Sequence, residues 1–314
     1  MSAAHLHHPP LPVRDGIAPS YIWLPEGQWI NLISFLTSYF PDVGESIWLE
    51  RMKKGEVVDQ AGRLLSQDSA VKRGMCIFYY REIECETAIP FNAEILHRDE
   101  HLLVVDKPHF LPVTPGGRFL RETLLVRLKK QTGLQHLTPI HRLDRETAGV
   151  MLFSHNAATR GLYQTLFQQR VIKKIYHALA PTLPDRTFPL VHRSRMEEGG
   201  SFLVMQESEG EPNSETLVEV QANFGDLSLY RLTPLTGKKH QLRLHMTSLG
   251  AAILNDSFYP DVLPCKGDDF SAPLQLLAKS ISFIDPISGD ARHFSSQQEL
   301  KRPDNAHRSV GGIR

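Results

Sequence analysis

One acidic side chain stands between two basic ones in the segment 139–153, PIHRLDRETAGVMLF. The acid is Asp144, and its neighbours are Arg142 and Arg145. An opposite charge within a few ångströms lowers the pKa of a carboxyl by roughly 1 to 3 units, so we expect Asp144 to be ionised. The apolar run at 149–153 is typical of a strand. A carboxylate anchored beside a rigid strand is a usable nucleophile, although most Asp residues with Arg neighbours form turns or surface ion pairs.

A second segment with chemical potential, LTPLTGKKHQLRLHM, occupies 232–246. It predicts a turn at Gly237 and then a helix as far as Leu249, which Gly250 would end. Four Lys or Arg residues and no acid occur between positions 231 and 250. Backbone N–H groups at a helix start and nearby cationic side chains both favour phosphate. Taken alone, this segment predicts a helix start suited to phosphate binding.

The elements that would position these segments can be predicted from hydrophobic periodicity. Near the N-terminus the pattern predicts helices over 28–40 and 46–54, with strands at 57–58 and 75–80. Further along it predicts helices over 120–132 and 157–169 and strands at 95–96, 102–105, 171–180, 216–221, 227–232 and 274–284. The acidic stretch within 181–212 predicts an irregular hairpin or loop that faces away from phosphates, because like charges repel.

Length and composition limit the classes of protein to consider. A chain of 314 residues is expected to hold one large unit and a smaller one. Lys plus Arg and Asp plus Glu each number 35, so a site for a polyanion must be a local patch. Three cysteines without a CxxC or Cys/His pattern predict a reduced, cytoplasmic protein without a metal site. The segment 1–12 carries His5, His7 and His8 but not the order of a secretory signal, and no apolar run is long enough to cross a bilayer.

Both segments resemble motifs of one enzyme family. The string HRLDRETAG at 141–149 resembles the catalytic motif of the RluA-type pseudouridine synthases, whose essential Asp matches Asp144. The segment 232–246 resembles the family's third motif, in which the Arg after His-Gln-Leu pairs with the catalytic Asp and matches Arg243. The string KIYHA at 174–178 resembles the tyrosine motif, which implies that Tyr176 stacks on the target base and could assist removal of the proton from the new carbon linkage. The resemblance assigns the partner charge of Asp144 to Arg243 and leaves Arg142 facing RNA.

The resemblance also implies roles for residues outside this catalytic trio. The last motif of the family places Leu276 against the base, and LVVDKP at 103–108 resembles the first motif, whose Lys107 is expected to contact the substrate. His141 and Arg142 of the catalytic motif are expected to contact the substrate. The candidates for contacts with RNA phosphates are Arg118, Arg121, Lys129, Lys130, Lys238 and Lys239.

The implied fold is an α+β pseudouridine synthase domain with a mainly antiparallel central sheet, preceded by a small S4-like α/β domain. We expect an N-terminal tail at 1–20, the S4-like RNA-binding domain at 21–85, the catalytic domain at 86–300 and a C-terminal tail at 301–314. Ala148, Lys238 and Leu277 stand where the family more often has Ser, Arg and His. These departures leave the catalytic trio intact and bear on substrate preference.

The implied reaction converts uridine to pseudouridine in RNA, and the ionised Asp144 would either attack the anomeric carbon or remove a neighbouring ribose proton. Because it is an isomerisation, no redox cofactor, nucleotide or metal is expected, and the chain has no GxGxxG or Walker loop. Large-subunit ribosomal RNA is the first expected substrate and transfer RNA the second, for a monomer. Two alternatives stay open. One is a noncatalytic RNA-binding protein on the same fold, and the other is a nucleoside or glycoside hydrolase that pairs Asp144 with Glu146 on one face of an extended segment.

Overall fold

The computed structural model of the chain describes residues 9–81, 86–200, 204–263 and 269–301, which form two compact units. The first unit groups the residues up to position 86 with two later segments, 115–121 and 126–133, and the second unit holds the remainder. Both later segments were expected in the catalytic domain, and they carry Arg118, Arg121, Lys129 and Lys130. The predicted tail residues 1–8 and 302–314 lie outside the described residues.

The described part of the first unit up to position 86 contains a three-stranded antiparallel sheet and two helices. Its elements are strand β1 (Ser20–Trp23), helices α1 (Leu32–Tyr39) and α2 (Glu45–Lys53), and strands β2 (Val57–Asp59) and β3 (Cys76–Tyr79). Leu32 and Phe35 of α1 are buried in one cluster with Trp48 of α2. Asn31 caps α1 by accepting a hydrogen bond from the Ser34 N–H, so the helix begins later than predicted. The likeness to an S4 domain stays a prediction.

The second unit is built on an eleven-stranded sheet. Its strands are β4 (Glu94–Arg98), β5 (Leu102–Lys107), β6 (Thr138–Pro139), β7 (Ala148–Ser154), β8 (Lys173–Pro181), β9 (Leu190–Glu198), β10 (Met205–Ser208), β11 (Ser214–Phe224), β12 (Leu227–Pro234), β13 (Leu276–Ile284) and β14 (Ala291–Ser295). The remaining helices are α3 (Leu124–Thr132), most of which belongs to the first unit, and α4 (Arg160–Gln168) and α5 (Gln241–Ser248) of the second unit. None of the described helices is long and apolar enough to cross a membrane.

The large sheet is mainly antiparallel, which confirms the predicted α+β class. Its order is β10-β9-β11-β12-β8-β13-β7-β5-β4, with β14 paired to β13 and β6 paired to β7. β13 runs parallel to β7, and the other neighbours run antiparallel. The three adjacent strands at the middle of this order connect the predicted site residues, because β8 carries Tyr176, β13 carries Leu276 and β7 follows Asp144.

The close approach of β7 to β13 requires glycine at position 149. Gly149 has a φ of +112°, a backbone conformation that residues with a side chain rarely adopt. It pairs with Ala278 in the parallel ladder, and a Cβ at position 149 would lie 2.2 Å from the Ala278 carbonyl oxygen. Gly149 therefore sets the spacing of the two strands next to the turn that holds Asp144.

We expect Gly149→Ala to lower the free energy of unfolding by at least about 2 kcal/mol, because it adds both backbone strain and overpacking against a neighbouring strand. Gly161→Ala is the matched control, since Gly161 lies in α4 and no atom comes within 4 Å of the added Cβ. Alanine is a better helix former than glycine, so the control should be at least as stable as the wild type. Urea unfolding followed by circular dichroism measures both variants, and equal stabilities would contradict the role of Gly149.

The segment expected to form an irregular hairpin or loop is more regular than predicted. β9 pairs antiparallel with both β10 and β11, while residues 201–203 between β9 and β10 lie outside the described residues. The acidic side chains meet basic partners across strands. His192 Nε2 lies 2.8 Å from Glu207 Oε1, and Arg193 Nε donates to Glu215 Oε2 at 2.8 Å. The local excess of acid therefore does not prevent strand pairing here.

Candidate active site

Asp144 lies in the turn that precedes β7 and faces a cleft of about 440 Å³. The Thr147 N–H donates to the Asp144 carbonyl oxygen at 3.2 Å and closes the turn. The predicted site residues that line the same cleft are His141, Arg142, Tyr176, Lys238, Arg243 and Leu276. The fold thus brings residues from four separate segments of the chain to one cavity.

The two oxygens of Asp144 have different surroundings. Oδ2 lies 3.7 Å from Arg243 Nη1 and 3.8 Å from His240 Nε2, and Oδ1 lies 3.9 Å from Arg142 Nη2. The side chain of Arg142 is 62% exposed, whereas that of Arg243 is 1% exposed. Water screens an exposed ion pair, so Arg243 is the principal counterion of Asp144. Sequence position alone made Arg142 and Arg145 the first candidates, and the geometry agrees with the assignment to Arg243.

Arg243 is itself held by a second carboxylate, Asp256. Its Nε donates to Asp256 Oδ2 at 2.7 Å, and its Nη2 donates to Oδ1 at 2.5 Å. Burial opposes the charge of Arg243, but the hydrogen bonds and the charge of Asp256 outweigh this and raise the pKa of the guanidinium. The Phe258 ring centroid lies 4.9 Å from the Arg243 Cζ, which adds a cation–π contact. The pair fixes the guanidinium so that its remaining nitrogen, Nη1, faces Asp144.

His240 is a second neighbour of Asp144 that the sequence did not reveal. It begins α5 in the left-handed conformation, with a φ of +54°, and its ring stacks on Phe258 at 5.4 Å between centroids. Burial lowers the pKa of His240 to about 4, so the ring is neutral near pH 7. Nδ1 lies 3.2 Å from the hydroxyl of Tyr259. A carboxylate attracts an N–H and repels a nitrogen lone pair, so the proton of the neutral ring is expected on Nε2, which faces Asp144. Nδ1 then accepts from the Tyr259 hydroxyl.

Tyr176 and Leu276 form an apolar part of the cleft. Tyr176 packs against the core cluster that contains Leu276, on the neighbouring strand β13. Burial and, secondly, the charge of Asp144 raise the pKa of Tyr176 well above its ordinary value. The phenol is therefore protonated at neutral pH. A neutral ring beside an aliphatic side chain suits the face of a planar base.

Lys107 supports the site from outside the cleft. It is fully buried, and its Nζ donates to the carbonyl oxygens of Pro108, Leu111 and Arg145 at 3.0 Å each. Burial lowers the pKa of Lys107 to about 7, whereas three carbonyl acceptors match the three N–H donors of an ammonium group. The three carbonyl acceptors hold Lys107 as an ammonium ion at neutral pH. Its predicted role in substrate binding is therefore revised to fixing the backbone next to Asp144.

His141 lines the cleft, but both of its ring nitrogens form hydrogen bonds with main-chain groups. Nε2 accepts from the Leu152 N–H at 3.1 Å, so Nδ1 carries the proton and donates to the Arg142 carbonyl oxygen at 3.2 Å. The ring stacks on Phe167, with 4.8 Å between centroids. The predicted contact of His141 with substrate is thus limited to the face or edge of the ring, and its hydrogen bonds fix the main chain next to Asp144.

We expect His141 to make stability depend on pH. Burial lowers its pKa to about 4, from an ordinary 6.5, so the unfolded state takes up a proton at a higher pH than the folded state does. The stabilisation that His141 provides is complete above pH 6.5 and is lost as the pH falls towards 4. The difference in unfolding free energy between the wild type and His141→Gln should therefore shrink by about 2 kcal/mol from pH 7 to pH 5. Urea unfolding at both pH values measures it, and a constant difference would contradict a neutral, buried His141.

The predicted phosphate contacts divide between the two units. Lys238 lines the cleft, and Lys239 follows it at the start of α5 without lining the cleft. Two further cations in the lining, Lys174 and Arg170, were not predicted as phosphate contacts. Lys174 Nζ donates to the Thr236 carbonyl oxygen at 2.9 Å, and burial lowers its pKa to about 8. Lys174 belongs to the same string as Tyr176, so the motif that indicates the tyrosine also indicates this lysine.

Among the residues that the structure describes, Asp144 lines the cleft and Glu146 does not. Residues 145 and 146 form a turn, so the extended segment that would place both carboxylates on one face is not formed. Glu146 Oε1 lies 3.5 Å from Arg145 Nη1 instead. This geometry removes the structural basis for a hydrolase that uses the two carboxylates as a pair.

Comparisons with known proteins agree with this arrangement. The family model described as RNA pseudouridylate synthase matches residues 101–248. The dual-specificity RNA pseudouridine synthase RluA of Pasteurella multocida is 32% identical, over 65% of this chain and 92% of that protein. The ribosomal large subunit pseudouridine synthase C of Vibrio cholerae is 28% identical, over 68% of this chain and 66% of that protein. Among solved structures, human RNA pseudouridylate synthase domain containing 4 has a TM-score of 0.52 and 26% identity, over 67% of this chain and 89% of that one.

The fold, the cleft and these matches define a class of enzyme. The chain belongs to the RluA-type RNA pseudouridine synthases, which are isomerases that act on RNA.

Proposed function

We propose that this chain converts a uridine of large-subunit ribosomal RNA to pseudouridine, with Asp144 as the nucleophile and transfer RNA as the second candidate substrate. The observation that carries the proposal is the position of Asp144 at the cleft, 3.7 Å from the buried guanidinium of Arg243. The name of the Vibrio cholerae relative favours ribosomal RNA, and that of the Pasteurella multocida relative keeps a second RNA open. We expect the protein to act as a monomer in the cytoplasm without a cofactor.

The reaction breaks the bond from ribose C1′ to uracil N1, turns the base and joins C1′ to C5. The proton on C5 leaves and N1 gains one, so electrons balance without an oxidant or reductant. We propose direct attack of Asp144 on C1′, and removal of a neighbouring ribose proton by the same carboxylate is the alternative route. Oδ2 faces Arg243 and His240, which leaves Oδ1, on the exposed Arg142 side, to approach the sugar.

The rest of the cleft supplies binding for an extruded nucleotide. A base must leave its stack to enter such a pocket, at a cost of a few kcal/mol that stacking and backbone contacts offset. Tyr176 and Leu276 offer the apolar surface for the base, and Arg142, Lys174 and Lys238 offer positive charge for the backbone. Because Tyr176 is protonated at neutral pH, we assign it packing on the base in preference to removal of the C5 proton.

His240→Phe is expected to lower kcat by about 10-fold, because it keeps a ring against Phe258 but removes the Nε2–H that faces Asp144. KM for RNA should change little, since the ring does not carry charge at neutral pH. Steady-state kinetics with a fixed RNA transcript separates the two parameters. An unchanged kcat would show that the 3.8 Å contact between His240 and Asp144 has no role in the reaction.

One assay tests the proposed function against its two rivals. The protein is incubated with ribosomal or transfer RNA that carries tritium at uracil C5. Release of tritium without release of base supports a pseudouridine synthase. Free uracil would identify a hydrolase, and RNA binding without either product would identify a noncatalytic binding protein. Comparing the two RNAs in parallel tests the preference for ribosomal RNA.

A further inference from the structure

A second cluster of chemically active side chains lies outside the catalytic cleft. It joins His192 of β9, Glu207 of β10 and His245 of α5, whose candidate ligand atoms all lie within 4.8 Å of one another. His245 is fully buried, and the other two residues are partly buried. The rings of His192 and His245 are 4.7 Å apart and inclined by 65°. None of the three lines the catalytic cleft that the described residues form.

We propose that His192, Glu207 and His245 bind a divalent transition-metal ion, with zinc as the best match. Two imidazoles and one carboxylate are a ligand set that zinc uses, with a fourth position for water. Tetrahedral bonds of about 2.0 to 2.2 Å place ligand atoms roughly 3.3 Å apart. His192 Nε2 and Glu207 Oε1, now 2.8 Å apart, must move slightly further apart to reach this separation. The other ligand atoms lie within 4.8 Å of one another, so they must approach by no more than about 1.5 Å.

The surroundings of His245 provide the outer contacts that a metal-binding imidazole needs. Nδ1 lies 2.9 Å from Thr216 Oγ1, which also accepts a hydrogen bond from Gln241 Nε2 at 3.0 Å. Nε2 lies 2.9 Å from Ser214 Oγ. Ser214 donates its own proton to the Ser194 carbonyl oxygen, so without metal it accepts from His245 Nε2–H. Metal binding moves that proton to Nδ1, where Thr216 accepts it, and frees Nε2 as the ligand.

The ion would fasten the β9–β10 hairpin to the helix that carries Arg243. His245 and Arg243 lie on the same helix, α5, and the hairpin also reaches the site through Tyr259, whose hydroxyl accepts from the Met205 N–H at 2.8 Å. The same hydroxyl lies 3.2 Å from His240 Nδ1. The metal site is therefore expected to be structural, stabilising the elements that position the neighbours of Asp144.

The test measures zinc bound to the full-length protein without RNA. Because His5, His7 and His8 could themselves bind metal, all variants are made in a full-length background in which these three residues are Ala. After dialysis with zinc and removal of excess ion, we expect one zinc per chain, and we expect cobalt substitution to give the visible absorption of a tetrahedral site. Zinc should also raise the Tm of this background protein.

His192→Gln and Glu207→Gln are the ligand variants, and His293→Gln, an exposed histidine of β14, is the matched control. Each ligand variant should bind zinc at least about 100-fold more weakly and lose the zinc-dependent rise in Tm, while the control should behave as its background. Glu207→Gln can retain a hydrogen bond with His192, so it reports on metal binding even where His192→Gln folds poorly. Equal zinc binding by the background and Glu207→Gln, or no zinc on either, would mean a hydrogen-bonded cluster only and would overturn the proposal.

Discussion

Replacing Asp144 with Asn is expected to reduce tritium release from labelled RNA by at least about 10⁴-fold, while RNA affinity stays within about threefold of the wild type. The amide has the shape of the carboxylate but is a far weaker nucleophile and base. The loss should appear in kcat, because in the proposed reaction Asp144 acts on the sugar after the base has entered the cleft. Affinity should be retained, since the cations that line the cleft are unchanged.

Glu146→Gln is the matched control for this substitution. Glu146 is the nearest other carboxylate along the chain, is partly buried and pairs with Arg145. A synthase that relies on Asp144 should keep kcat within about threefold in this variant, whereas a hydrolase with a carboxylate pair should lose activity in both. Substantial activity in Asp144→Asn, or an equal loss in Glu146→Gln, would contradict the proposed role of Asp144.

Asp256→Asn is expected to lower the free energy of unfolding by about 3 kcal/mol or more, because it leaves the buried charge of Arg243 without its closest partner. Asn keeps the oxygen that accepts from the N–H groups of Phe258 and Tyr259, so the loss reports on the ion pair. Denaturant unfolding measures the change. Activity should also fall, because the guanidinium is no longer fixed with Nη1 towards Asp144.

The double variant Arg243→Met, Asp256→Asn separates stability from catalysis. Removing both charges of a buried pair is far less costly than removing one, so the double variant should recover most of the stability lost in Asp256→Asn. Its activity should nevertheless stay low, because Asp144 then lacks its buried counterion. Recovery of activity in the double variant, or a loss below about 1 kcal/mol in Asp256→Asn, would show that Arg243 does not act as described.

The strands and helices were largely predictable because they depend on local hydrophobic periodicity. Both helices of the first unit and the strands that carry Tyr176 and Leu276 follow such patterns. The exceptions depend on distant partners. β9 and β10 form in an acidic segment, where Glu207 of β10 meets His192 of β9 across the strand pair. The need for glycine at position 149 arises from Ala278 on a strand far along the chain, and no local pattern shows it.

The residues of the candidate site could be predicted only where they belong to a recognisable motif. Asp144, Tyr176 and Arg243 lie in recognisable strings, and the structure places them at one cleft. Asp256 and His240 were missed because their importance comes from what they contact after folding. The predicted substrate contact of Lys107 was revised for the same reason, since the sequence does not show that its ammonium group is surrounded by three carbonyl oxygens.

The most direct test of the central claim maps pseudouridines at single-base resolution in the RNA of cells that lack the gene. The cells are complemented with the wild-type protein, with Asp144→Asn or with neither. We predict that at least one uridine, first in large-subunit ribosomal RNA and otherwise in transfer RNA, regains its modification with the wild type and not with Asp144→Asn. Restoration of that pseudouridine by Asp144→Asn, or the absence of any site that depends on the wild-type protein, would contradict the account.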